Sequence, residues 1–111
     1  MLLLITSKAS KASLDKAAED LDGYIKFVVD LDKKIITAGG LRHFDGEQLL
    51  LSNGSRQQDL WGGGVDLQTK EIDFESMINI RPAQSNSSRE VLDLKVRDLI
   101  KQIVSDLLVK L

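Results

Sequence analysis

Apolar residues along the chain recur with two different periods, and the changes of period mark out the elements. Met1-Leu2-Leu3-Leu4-Ile5 is a short apolar run followed at once by Thr6-Ser7-Lys8. It suits a buried strand over Leu2 to Ile5. A secretory leader needs a longer apolar core, and a membrane span needs about 20 apolar residues. Leu14, Ala17, Ala18 and Leu21 share one helical face, which predicts a helix over 13–22 with Ser13 as N-cap, Asp15 in the first turn and Gly23 at the end. From Tyr24 to Leu31 the period changes to two: Ile25, Phe27, Val29 and Leu31 take one side, Tyr24, Lys26, Val28 and Asp30 the other. Asp32-Lys33 can turn this strand into a second, residues 34–38, which Gly39-Gly40 terminates or bulges.

Residues 45–52 support two readings. Asp45-Gly46 and Asn53-Gly54 are both hairpin signals, so Gln48 to Leu51 fits a strand between turns. Asp45 can equally cap a short helix that Asn53 or Gly54 ends, and Gly-Glu-Gln after an aspartate is weak strand material. Ile72, Phe74, Ile78 and Ile80 alternate with Asp73, Glu75, Met77, Asn79 and Arg81, interrupted by Ser76. That pattern predicts a long strand over 72–81, paired as a hairpin with residues 57–65. Finally Val96, Leu99, Ile100, Ile103, Val104, Leu107, Leu108 and Leu111 form a continuous helical stripe, with Asp93 as N-cap and Lys110 near the C-terminal end. The expected product is one α+β domain over 1–111: a largely antiparallel sheet of about five strands, with the N-terminal and long C-terminal helices packed on one face as a second layer.

Composition narrows the function classes. The chain has 111 residues, 42% hydrophobic and 29% charged, ordinary for a folded domain. A formal net charge of −2 argues against binding a nucleic-acid backbone, which calls for a basic surface. With no cysteine there is no disulfide framework, thiolate metal site or cysteine nucleophile, in keeping with a cytoplasmic protein. One histidine, His43, rules out His-rich metal sites, and no serine sits in a nucleophile elbow. Gly62-Gly63-Gly64 lacks the lysine and spacing of a P-loop and reads as a hairpin connection or bulge beside Trp61.

Three constellations remain. Arg81, on the same predicted strand face as Asn79, is followed by Pro82, Gln84, Asn86, Ser87 and Arg89 on the way into the last helix. Two guanidiniums, short polar groups and a helix N-terminus can take a carboxylate or phosphate; the competing reading is a capped turn whose arginines pair with Glu75 and Glu90. Asp73 and Glu75, two apart on a strand, can face together, bind a divalent ion and act with His43 as base, although a solvated strand face is the simpler reading. Trp61 is either core, with Leu60 facing outward, or a surface anchor for a partner.

Asp59-Leu60-Trp61-Gly62, followed by Phe74-Glu75-Ser76-Met77-Ile78-Asn79-Ile80-Arg81-Pro82-Ala83-Gln84, resembles a family of small, mostly bacterial proteins of unknown function. Similar residues in Val28-Val29-Asp30-Leu31, Gly39-Gly40, His43 and Gly54-Ser55-Arg56-Gln57 extend the resemblance over nearly the whole chain. The family pattern places an Asn one residue after Trp-Gly and a Gly-Asn pair after the Gln; Gly64 and Ser85-Asn86 stand there instead. The resemblance implies no activity or cofactor, but it does imply that the polar residues around Arg81 are more than surface filler.

Taken together, these features predict a small cytoplasmic binding module without a cofactor, with an anion- or partner-binding loop at 81–89 made of Arg81, Gln84, Asn86, Ser87 and Arg89 beside Asn79, Trp61 and His43. The alternatives are a metal-assisted hydrolase or transferase using Asp73 and Glu75, and a regulatory homodimer joined through an open sheet face or edge.

Overall fold

The computed structural model describes residues 1–111. Strand β1 is Leu3–Ile5, β2 is Tyr24–Asp30, β3 is Ile35–Ala38, β4 is Leu60–Asp66 and β5 is Ile72–Asp73. They form one five-stranded sheet, order β1-β3-β2-β4-β5, antiparallel at every neighbouring pair. Helix α1 is Lys11–Ala18, α2 is His43–Ser52 and α3 is Leu94–Leu107. No helix is long and apolar enough to cross a membrane.

The α+β architecture and the two helices on one face agree with the sequence. Ile25, Phe27 and Val29 of β2, with Ile36, Ala38, Trp61 and Val65, meet Ala17 and Ala18 of α1 and Ile100, Ile103, Val104 and Leu107 of α3 in one core. Each of the Val, Leu, Ile and Phe side chains among them contributes about 1.5–3 kcal/mol when fully buried. The other sheet face is covered as well: Val28 and Leu60 pack on Leu50 of α2, with Leu4, Ile35, Leu51 and Ile78 around them. This resolves residues 45–52 as helix. It also explains why Leu60 and Trp61, adjacent on a strand and so on opposite faces, are both buried. Neither had to face outward, because the sheet has no bare side at that point.

Several boundaries move, each for a local reason. Helix α1 begins at Lys11, because Ser10 is the N-cap: its Oγ accepts from the Ser13 N–H (3.1 Å). The helix ends in a 3₁₀ turn over Glu19–Leu21, and Asp22 and Gly23 reverse the chain with φ of 52° and 98°. Arg42, not Asp45, stands at the N-cap of α2. Asp93 caps α3 as expected, through the Lys95 N–H (2.8 Å). The helix stops at Leu107, however, so Lys110 lies beyond it, while Leu108 and Val109 are buried against the core.

The largest correction concerns residues 72–81. Only Ile72 and Asp73 are strand, and β4 pairs chiefly with β2, along all seven positions from Tyr24↔Asp66 to Asp30↔Leu60. Asp73 Oδ1 accepts from the Glu75 N–H (3.1 Å), and Ser76 Oγ accepts from the Ile78 N–H (3.3 Å). These side-chain bonds replace ladder bonds and wind Met77–Asn79 into a 3₁₀ turn. As a result Asn79 is fully buried and Ile80 is exposed, the reverse of the alternation.

Gly62-Gly63-Gly64 is neither connection nor bulge but the paired middle of β4. A Cβ at Gly64 would fall on the Tyr24 ring, and one at Gly62 would meet Ser76 and His43. At Gly63 it would sit 2.3 Å from the Asp73 carbonyl oxygen and 2.7 Å from Phe27 Cζ. Because one neighbour there is backbone, Gly63→Ala is expected to lower stability by about 2–3 kcal/mol in urea denaturation, through overpacking that the strand cannot relieve. A variant within 0.5 kcal/mol of the parent (roughly the noise of surface substitutions) would show that β5 is not held against β4 as described.

Candidate functional site

Residues 74–91 form a folded loop against the free part of the β4 edge. One antiparallel bridge, Glu75 opposite Glu90, ties it down: Ser76 N–H donates to Arg89 O and Val91 N–H to Phe74 O, both at 3.0 Å. Beyond Pro82, the Arg81 and Asn86 backbones pair with each other around a turn in which Ser85 has φ of 57°. Two asparagines fill the interior. Asn79 Oδ1 accepts from the Gly62 N–H (2.8 Å) and its Nδ2 donates to Gly62 O (2.9 Å), so the amide substitutes for one residue of a neighbouring strand. The same Nδ2 lies 3.1 Å from Phe74 O and 3.0 Å from Arg89 O. Asn86 Nδ2 reaches the carbonyls of Asn79, Ser88 and Glu90, and its Oδ1 accepts from the Leu92 N–H.

Arg81 is also turned inward. Its guanidinium lies over Trp61, 3.9 Å from the ring centroid, and donates to the carbonyls of Gln57 and Leu60 and to Gln84 Oε1. Desolvation pulls its pKa below the ordinary arginine value, and the Glu47 carboxylate opposes that. Arg81 Nε and Glu47 Oε2 are both buried without a hydrogen-bond partner. Gln84 Nε2 donates to Gln58 O (3.0 Å). Arg89 is exposed and pairs loosely with Glu75 (3.7 Å), and Ser87 is exposed. Of the residues the sequence singled out, Arg81, Gln84, Asn79 and Trp61 therefore come together, with their polar groups committed to the chain itself. Arg89 and Ser87 stand apart from them.

Asp73 and Glu75 do not converge. Asp73 Oδ2 accepts the Tyr24 hydroxyl, while Glu75 faces Arg89. Burial, then the bond to Asp73, pushes the Tyr24 phenol pKa up. No three acidic or histidine side chains come together as a metal-ligand set.

The histidine lies in a different place from the loop arginines. A cleft of about 390 Å³ is lined by Lys26, Arg42, His43, Phe44, Ser76, Met77 and Ile78. His43 sits in the first turn of α2, with Nε2 2.7 Å from Gly63 O and Cδ2 against Gly62. A carbonyl only accepts, so Nε2 carries the proton, and in the neutral ring Nδ1 has a lone pair that no protein group meets. Desolvation lowers the His43 pKa, partly offset by the Gly63 bond; Lys26 lowers it further and Asp73 raises it. Ser76 Oγ lies near Gly62 on the Cδ2 side of the ring and already accepts from Ile78 N–H, so no ring nitrogen is turned to it as a base.

The cations at the mouth are held but not consumed. Lys26 Nζ donates to Leu41 O (2.9 Å), and Arg42 forks onto Asp45 at 3.1 and 3.3 Å in an exposed pair. Exposed pairs of this kind are worth under about 1 kcal/mol, so an incoming anion can displace Asp45. Arg42 makes no side-chain bond to the first-turn amides of α2, of which the Asp45 N–H donates instead to the Arg42 carbonyl (3.2 Å). Phe44 and Met77 are exposed and form its apolar lips. Sequence reasoning named His43 but missed Lys26, Arg42, Phe44 and Met77, which come from β2, the start of α2 and the 3₁₀ turn at 77–79.

A family model described as "Protein of unknown function (DUF5674)" matches residues 3–107. No curated protein and no solved structure matches the chain.

Proposed function

We propose that this chain, which belongs to the DUF5674 family of proteins of unknown function, is a small cytoplasmic, non-catalytic binding module for an anionic small molecule. The anion would sit in the cleft beside His43 and not on the 81–89 loop, whose Arg81 and amides are engaged internally. The observation that carries this reading is the convergence of Lys26, Arg42 and His43 on one cleft with apolar lips. A concave site of several hundred Å³, mostly apolar with a few placed polar groups, is the usual form of a small-molecule site.

The test is a calorimetric titration of 3-phenylpropionate into the protein at pH 7.5 and pH 5.5. Four charged groups face the imidazole or its surroundings: Lys26 on β2, Asp73 on β5, Arg42 at the N-cap of α2 and Asp45 in its first turn. Because the folded His43 pKa lies below its ordinary value, the folded ligand-free protein binds fewer protons than the unfolded chain. Its stability is therefore complete above about pH 6.5 and falls as pH drops below that. Protonation adds a third cation to the cleft. Affinity for the carboxylate is expected to rise about five- to tenfold as pH falls through the His43 pKa, and Arg42→Ala is expected to lower it by a similar factor with an unchanged melting temperature. Binding that is absent at both pH values, or indifferent to Arg42→Ala, would falsify the cleft as the site.

A further inference from the structure

We propose that the cleft is selective for one class of anion: carboxylates that carry a hydroxyl or amide N–H next to the carboxylate and an apolar, preferably aromatic, body. The inference rests on the anion-binding reading above and adds a second recognition element to it. His43 supplies that element. Its Nε2–H is spent on Gly63 O at 2.7 Å, and its Cδ2 edge is packed against Gly62. His43 lines the cleft, and its other nitrogen, Nδ1, has no protein partner; it can accept a hydrogen bond but not donate one while the ring is neutral. Lys26 and Arg42, by contrast, only donate. A bare anion satisfies the two cations but sets its own lone pairs against Nδ1. A ligand whose anionic group and donor lie side by side satisfies both. Phe44 (53% exposed) and Met77 (68% exposed) then flank whatever group the ligand carries beyond its polar head. An aromatic ring there buries apolar surface, and the polarisable methionine sulfur suits ring contact.

Three probes separate the elements: L-phenyllactate, which has carboxylate and hydroxyl; 3-phenylpropionate, which lacks the hydroxyl; and phenyllactamide, which lacks the charge. At pH 7.5, calorimetric titration is expected to show phenyllactate binding about tenfold more tightly than either of the others, the scale of one net hydrogen bond or one weak charge contact. His43→Phe, confirmed folded by circular dichroism, should erase the advantage of phenyllactate over 3-phenylpropionate. On the unsubstituted protein, the ¹⁵N resonance of His43 Nδ1 should be that of an unprotonated nitrogen and should shift with phenyllactate more than with 3-phenylpropionate. That measurement decides the question even where His43→Phe fails to fold. Equal affinities for the two carboxylates, or an Nδ1 resonance blind to phenyllactate, would overturn the selectivity and leave the anion site standing. Failure of both carboxylates to bind would overturn the anion site itself, and the selectivity with it.

Discussion

Asn79→Ala is expected to cost about 3–5 kcal/mol of folding stability, a large fraction of the roughly 5–15 kcal/mol typical of a domain. The magnitude follows from what the amide holds. Its oxygen takes the Gly62 N–H, its nitrogen lies within hydrogen-bond distance of three carbonyls, and the residue is fully buried. Alanine removes the partner and leaves those backbone groups in a place water does not readily reach, which costs about 1–3 kcal/mol each before any relaxation. Asn79→Asp is a sharper variant, because its shape is the same: a carboxylate oxygen would replace the NH₂ and face the carbonyls of Gly62, Phe74 and Arg89. It should be at least as damaging as alanine. Urea denaturation of both variants checks the assignment. An aspartate variant as stable as the parent would mean that the side chain does not pair with Gly62 as described.

Arg81→Ala is expected to lower stability by about 2–4 kcal/mol and to leave carboxylate affinity at the cleft within about twofold. The guanidinium joins Gln57, Leu60, Gln84 and the Trp61 ring in one contact set, and its loss also leaves the buried Glu47 carboxylate without the opposing charge. Arg81→Lys should recover only part of this, because an ammonium neither stacks flat on the indole nor reaches two divergent carbonyls at once. The pairing of two measurements matters. A fall in melting temperature with intact titration supports a structural Arg81. An unchanged melting temperature with lost titration would return the anion site to the 81–89 loop.

How legible the fold was depended on whether a local pattern had a single physical reading. The α3 stripe and Asp93 left little choice, and the α3 cap is where the sequence put it. The alternation of Tyr24 to Leu31 likewise became β2, since one of its faces meets α1 and α3. Residues 72–81 alternate almost as well, yet Asp73 and Ser76 bond the backbone two residues on and break the ladder; Ser76 was the visible interruption. Leu60 and Trp61 misled for a different reason. A strand between two covered faces reads as a continuous apolar run, and nothing near Leu60 announces that α2 will cross above it. The cleft was least legible. Lys26 looks like one polar position of a strand and Arg42, though next to His43 in sequence, like a loop cation; the antiparallel pairing of β2 with β4 brings Lys26 to the side of the strand where His43 sits.

The way β4 is finished has a consequence for how the molecule fails. Beyond its two-residue pairing with β5, the strand's outer rim from Leu60 to Gly63 is sealed by side chains, Asn79 on Gly62 and Arg81 on Leu60, and not by another strand. A seal of that kind opens all at once when the loop lets go, and what it uncovers is a stretch with two glycines and no charged gatekeeper. Chains damaged at Asn79 should therefore be lost less to simple unfolding than to stacking of one opened rim on the next, with turbidity and amyloid-dye binding that grow with protein concentration.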